Sequence, residues 1–409
     1  MLMQFSVRNY KSFRDKVTFD MSATNIHEHP GNTFSTDFDE AFLKSSVIYG
    51  ANAYGKSNFI NALSFMKEKV LNQNSIETLS PIRFKDLTPY RFDDSRNKSS
   101  EFDIFFHYEG KDYQYGFILD EKKIDEEWLY CKDNIKEEYN EIFKRKDSDI
   151  ELIDTIKNSL TVNFEIYENV LLLNALSPFK IDEIRKVIDW FLKLKILNVE
   201  KDIFDQWLYR EQFAEKLKDE IYKANLLRML RNVDIDIEDF LIKKDKISDV
   251  DNSISIILSM HKKKDNDSQQ VPLLFEEESG GTRKLIILYN YIYDSFLNGT
   301  PLIVDELDSR LHPLLLRFII LMYHNPEINQ NNGQLIYTAH DTFTLTREIF
   351  RRDQVWFVNK ENQVSSLYSL VEYKDINDKK IRNDATYYKD YLLGKYNAIP
   401  RFKEKCKQD

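Results

Sequence analysis

The chain has 409 residues, 58 basic and 68 acidic, for a net charge of −10, and 42% of it is hydrophobic. With 28 Phe and 23 Tyr needing burial, general disorder is excluded, and 10 Gly with 9 Pro exclude a collagen-like or flexible-linker protein. The acidic balance argues against bulk coating of nucleic acid but leaves room for a local basic groove.

The N-terminus, MLMQFSVRNYKSF, has no apolar core of a secretion signal. Cys131 and Cys406 make neither a disulfide framework nor a zinc knuckle, so a cytoplasmic protein is expected. Glycine is scarce, which makes its positions informative. Gly50 and Gly55 fall in Gly50-Ala51-Asn52-Ala53-Tyr54-Gly55-Lys56-Ser57-Asn58, a complete match to G-x-x-x-x-G-K-[ST]. A β-branched run, Ser46 to Tyr49, enters it, and a helical pattern from Phe59 leaves it. Such a loop rings phosphates with backbone N–H groups at a helix N-terminus. Gly50, Asn52, Gly55, Lys56, Ser57 and Asn58 are the expected nucleotide contacts. Lys56 would reach the β/γ oxygens and Ser57 would ligate Mg²⁺.

Three strands are predicted next, Glu101 to Tyr108, Lys111 to Leu119 and Lys123 to Tyr130, with turns at Glu109-Gly110 and Asp120-Glu121. Residues 136–250 read as a mainly helical, charged insertion with amphipathic stretches at Ile181 to Leu194 and Phe204 to Leu230. A docking surface for a partner or nucleic acid is the sharper reading of that insertion. The run Lys262-Lys263-Lys264 and the cluster Arg347, Arg351, Arg352 are candidate phosphate contacts, set against the ordinary reading of solvated charge.

Pro301 to Glu306 is an apolar run ending in two carboxylates, the pattern of a buried parallel strand delivering acids to a sheet edge. Asp305 is the expected Mg²⁺ partner, and Glu306 the residue that orients or activates water. The apolar helix that follows, with Leu314 to Met322 interrupted by Arg317, is too short and too charged to span a membrane. Arg317 and His324 have the spacing of a HEPN ribonuclease motif, and are read instead as helix-surface residues. A second apolar run, Gln334 to Ala339, ends at His340, beside the same sheet edge and within reach of a γ-phosphate.

Between the loop and the acidic strand lies Glu278-Ser279-Gly280-Gly281-Thr282-Arg283-Lys284 before an apolar helix. It resembles the signature segment of ABC-type ATPases. In that class Ser279 and the amides of Gly280 and Gly281 would form a second anion site that meets the γ-phosphate held by the opposite protomer. The order of motifs, and the opening Phe5 to Phe13, resemble SMC-like heads; this likeness puts Lys11 and Ser12 beside the nucleotide. Asp305 to Pro313 resembles the OLD-like branch. The tail Tyr387 to Pro400 resembles the closing YLxGRYGAIP of RloA/AbiL-type ATPases, with Lys395 and Asn397 in place of the Arg and second Gly.

The resemblance implies an α/β fold: an ABC/SMC-like P-loop ATPase head of mixed and parallel sheets with flanking helices and a helical insertion. The expected division is 1–135, 136–250 and 251–409. ATP and Mg²⁺ are the implied ligands, with a head-to-head dimer and a role in bacterial anti-phage defence beside a separate effector, such as a Toprim-like nuclease. Two other readings stay open, a nucleotide-gated scaffold that sequesters a toxin and an SMC-like DNA repair or processing ATPase.

Overall fold

The computed structural model describes residues 1–36, 40–71, 86–132, 138–159, 166–198, 206–246, 253–264, 266–374, 381 and 385–400. A six-stranded sheet carries the motif strands. Its order is Lys195–Asn198, Pro301–Asp305, Gln334–Thr338, Ser45–Tyr49, Val355–Glu361, Val364–Ser369. All neighbours run parallel except the final hairpin. The three central strands, Pro301–Asp305, Gln334–Thr338 and Ser45–Tyr49, are buried along their whole length. That explains why they are near-continuous apolar runs rather than alternating ones.

A second, seven-stranded sheet is antiparallel throughout. Its order is Asp149–Leu152, Asn140–Lys146, Ile124–Lys132, Lys111–Leu119, Ser100–Tyr108, Leu2–Arg8, Val17–Asp20. The helix Lys56–Leu71 lies between the two sheets. Phe59 meets Phe5 and Phe19 at ring separations of 5.5 and 5.6 Å, and Phe65 stacks on Phe102 at 5.0 Å. Ile48, Ile303, Ile336 and Val358 close this core from the parallel sheet. The opposite face of that sheet packs Val47, Tyr49, Leu302 and Val304 against the helices Gly280–Asn298 and Pro313–His324.

The segment 136–250 is more varied than the helical pattern predicts. Among its described residues it holds the longer helices Asp182–Lys193, Gln206–Lys216 and Glu220–Asn232, beside the short Asp154–Ser159 and Leu172–Leu176. It also holds four strands. Asn140–Lys146 and Asp149–Leu152 extend the antiparallel sheet, and Lys195–Asn198 edges the parallel one. Asp239–Lys246 joins Ser253–Lys263 and Asn266–Leu274 in a three-stranded sheet. The described part of the predicted stretch 204–230 is two helices, because the Asp219 carboxylate accepts from the backbone N–H of Ile221 at 2.8 Å and of Tyr222 at 3.3 Å and starts a new helix there. Cys131 is buried, and Cys406 lies outside the described residues. Among the described residues no helix is long and apolar enough to cross a membrane.

Candidate nucleotide site

Two contacts show why glycine stands at both ends of the phosphate-type loop. A Cβ on Gly50 would lie 2.7 Å from the Val358 carbonyl of the neighbouring strand. Gly55 has φ +121°, and a Cβ there would lie 2.8 Å from both the Ser12 and Ser365 hydroxyls. The loop therefore passes against backbone and side chains that leave no room for more. Lys56 is buried and donates to the Gly50 carbonyl at 2.7 Å. Burial pushes its ammonium down to about 8, against the pull of Asp305, Glu306 and Asp308.

Ser12 is brought to the loop's rear. It accepts from Asn58 Nδ2 at 2.8 Å, and its carbonyl accepts from the Ser365 N–H at 2.8 Å. Lys11 takes φ 49° at the neighbouring turn, its N–H donating to Thr88 and its ammonium lying 5.5 Å from the Tyr10 ring centre.

The acidic strand ends in a hydrogen-bonded relay. Thr338 donates to Asp305 Oδ1 at 2.6 Å and accepts from the Glu306 N–H at 2.7 Å. Asp305 is buried, while Glu306, at φ 56°, turns its carboxylate outward. His340 Nε2 lies 3.9 Å from Glu306 Oε1. Burial, then the Lys56 charge, lowers the imidazole's affinity for a proton, with Asp308 and Asp305 opposing. Burial therefore disfavours the charged imidazole beside Glu306. Asp308 Oδ2 accepts from the backbone N–H groups of His340 at 2.8 Å and Asp341 at 2.7 Å, which fixes the turn that carries the histidine. Thr338 and Asp308 had no role in the sequence reading. Their signal there was only a hydroxyl at the end of an apolar strand and a third acid after two others.

A cavity of about 570 Å³ opens over these groups, lined by Ala51, Asn52, Ala53, Gly55, Lys56, Ser57, Asn58, Glu306 and His340. The volume suits a nucleotide-sized ligand. Gly50 and Asp305 are not among its lining residues. Among the described residues no cluster of three His, Cys, Asp or Glu forms a metal cage. A Ser hydroxyl and one hydrogen-bonded, buried Asp fit Mg²⁺, which takes few protein ligands and keeps phosphate oxygens and water.

Ser279, Gly280 and Gly281 are not part of this cavity. Ser279 caps the helix Gly280–Asn298, accepting from the Thr282 N–H at 3.1 Å, and nothing crowds Gly280 within 4 Å. Ser279 and Gly280 face solvent. One linkage joins this segment to the acidic strand. Lys284 is buried, donates to the Leu307 carbonyl at 2.9 Å and to the Ser309 carbonyl, and is lowered to about 8 by burial.

Other candidates fall away. His324 is not on the helix surface: it is buried, hydrogen-bonded to Ser45 Oγ at 2.7 Å, and lowered to about 3 by burial. A nuclease role with exposed Arg317 has no geometry there. Arg351 is also internal, paired with Asp353 at 2.7 Å, and Arg352 is held by Glu28 at 2.9 Å, so these two are structural, while Arg347 is exposed and lies 3.6 Å from Glu348. Lys262 and Lys263 are exposed and turned to Glu238 and Gln269.

In the parallel sheet one strand separates the loop strand from the acidic strand, and both deliver their motif to one edge. That arrangement defines a P-loop ATPase α/β fold. The chain belongs to the family described as "AAA domain, putative AbiEii toxin, Type IV TA system", which matches residues 45–346. Two solved structures are similar over 90% of this chain and 98% of theirs. They are an SMC head domain from Thermotoga maritima, at 13% identity and a TM-score of 0.41, and the recombination mediator protein RecF-ATPrS of the RecFOR pathway, at 12% and 0.33. No curated protein matches.

Proposed function

We propose that the chain is a Mg²⁺-dependent ATP hydrolase of the RloA/AbiL type, acting as a sensor or regulator in bacterial anti-phage defence and controlling a separate effector, such as a nuclease. The observation that carries the enzymatic part is that one cavity is lined by loop residues Ala51 to Ala53 and Gly55 to Asn58 together with His340 and Glu306, the latter next to buried Asp305 in sequence. Gly50, Asn52, Gly55 and Asn58 shape the loop around the phosphates, and Lys56 leaves the Gly50 carbonyl for a β/γ oxygen. Mg²⁺, held by Ser57 and Asp305, would neutralise charge on the phosphate oxygens. Glu306 orients the attacking water, and His340 donates or accepts at the γ-phosphate. Hydrolysis by positioning and charge stabilisation needs no covalent intermediate.

Ser279 and Gly280 are exposed and do not line the chain's own cavity, which supports a role in trans: two heads stacked so that each signature closes the other's site. Ser12 supports the loop from behind through Asn58, and Lys11, one residue earlier, would reach the nucleotide from the neighbouring turn. The scaffold and DNA-processing readings differ from this one in what the ATP cycle controls.

The test is Mg·ATP binding and steady-state hydrolysis by the full chain and by Lys56→Ala. Binding and turnover in the wild type, both lost in the variant, are expected. Turnover that persists in Lys56→Ala overturns the assignment.

A further inference from the structure

The tail Tyr387 to Pro400 has no part in the chemistry above, yet it is built into the loop that does the binding. Tyr391 and Tyr396 are buried. Tyr391 stacks on Phe357 at 5.7 Å and 19°, and lies 5.7 Å from Tyr49, the residue before Gly50. Tyr396 packs on Phe357 at 4.9 Å. At the other end of the loop, the Tyr54 hydroxyl donates to the Ile399 carbonyl at 3.1 Å, while the Tyr54 carbonyl accepts from Ser365 Oγ at 2.5 Å. The tail thus touches the strand that feeds the loop and the residue just before Gly55.

The tail itself is shaped for this. Gly394 has φ +76°, and a Cβ there would meet Ile399 Cδ1 at 2.9 Å. Asn397 takes φ 56°, a left-handed conformation that asparagine tolerates, which is why it stands where the resembling motif has glycine. Tyr373 and Tyr368 donate to the Lys395 and Tyr396 carbonyls, holding the turn from the sheet side.

We infer that this tail is a strap that presets the nucleotide loop, with Tyr54 as the positioning residue that couples the two. The inference rests on the nucleotide reading of the cavity. A loop held in its binding conformation loses less conformational freedom when phosphates arrive, so the strap acts on affinity. It does not act on the bond-breaking step, because no tail residue lines the cavity.

The experiment measures Kd for a fluorescent ATP analogue with Mg²⁺, together with KM, kcat and the apo melting temperature. It compares wild type, Tyr54→Phe, Gly394→Ala and their double variant. Tyr54→Phe removes one hydroxyl and should raise Kd and KM about five-fold, the usual worth of one hydrogen bond, with kcat retained. Gly394→Ala displaces Ile399 and should do the same. The double variant should be no worse than the weaker single one, since both break one link. Tyr373→Phe, a milder loosening of the same turn, replaces Gly394→Ala if that chain does not fold.

Additive losses, an unchanged Kd with a lowered melting temperature, or a fall in kcat at constant KM each overturn the strap. A wild type that does not bind the analogue overturns the nucleotide reading, and the strap falls with it. Wild-type binding that Lys56→Ala abolishes keeps the two questions separate.

Discussion

Lys56 is the residue whose chemistry the sequence named and whose state it did not. The G-K-[ST] pattern puts a lysine at the phosphates, but only packing shows the ammonium folded onto Gly50 and lowered to about 8. An arriving polyphosphate raises that pKa again, so above about pH 8 binding must take up a proton. Mg·ATP affinity is expected to fall by up to about ten-fold per pH unit above 8, until the pKa of the complex is passed. Calorimetry at pH 8.5 in buffers of differing ionisation enthalpy checks it. Binding with no proton uptake would mean that Lys56 stays charged without nucleotide. Protein stability follows the same group with a distinct sign. The unfolded chain holds the lysine proton over the window from about 8 to 10.5 while the folded one does not, so this contribution to stability rises with pH there. Other residues were misplaced for one shared reason. His324 and Arg351 look like surface polar groups in a linear pattern, but Ser45 and Asp353 satisfy them in the interior. Such partners lie far away in sequence or within a turn whose direction no periodicity reveals.

At the scale of elements, legibility followed burial. The strands feeding the site are buried on both faces and stand out as apolar runs ending in Gly50, Asp305 and His340. The hairpin Ser100–Tyr108 and Lys111–Leu119 was marked by its Glu109-Gly110 turn. Strands such as Asn140–Lys146 and Asp239–Lys246 were not, since their exposed faces carry the charges that a solvated helix also carries. The three-stranded sheet has a consequence for the signature turn. Glu278 is buried and accepts from Ser259 Oγ at 2.5 Å and from His261 Nε2 at 2.7 Å. It stands one residue before the cap Ser279. Glu278→Ala leaves two donors short of their acceptor and should cost roughly 1–3 kcal/mol, read as a lower urea midpoint at unchanged slope. Glu278→Gln keeps an acceptor and should lose about half of that or less. Equal losses in the two variants would show that the carboxylate's charge, rather than its place as an acceptor, holds the turn.

At the scale of the whole molecule, the signature turn does not line the chain's own cavity, and the proposed sandwich of two heads would give it a site to close. A chain of net charge −10 repels its copy, but at about 0.1 M salt charges more than roughly 10 Å apart are screened, and local contacts decide. Slowing hydrolysis should therefore expose the assembly. Glu306→Gln keeps the hydrogen-bonding shape of the side chain and removes the negative charge beside His340, so ATP should persist in the site. Light scattering after size exclusion is expected to show this variant at twice its mass with Mg·ATP and as a monomer without it. Adding Ser279→Ala should return the doubled species to monomer while each chain still binds ATP, because that hydroxyl lies outside the chain's own cavity. Loss of ATP binding along with doubling would place Ser279 in the cis site. An assembly of the same mass with and without nucleotide would mean that other surfaces hold the subunits. ATP would then work inside a standing complex, as the scaffold reading requires.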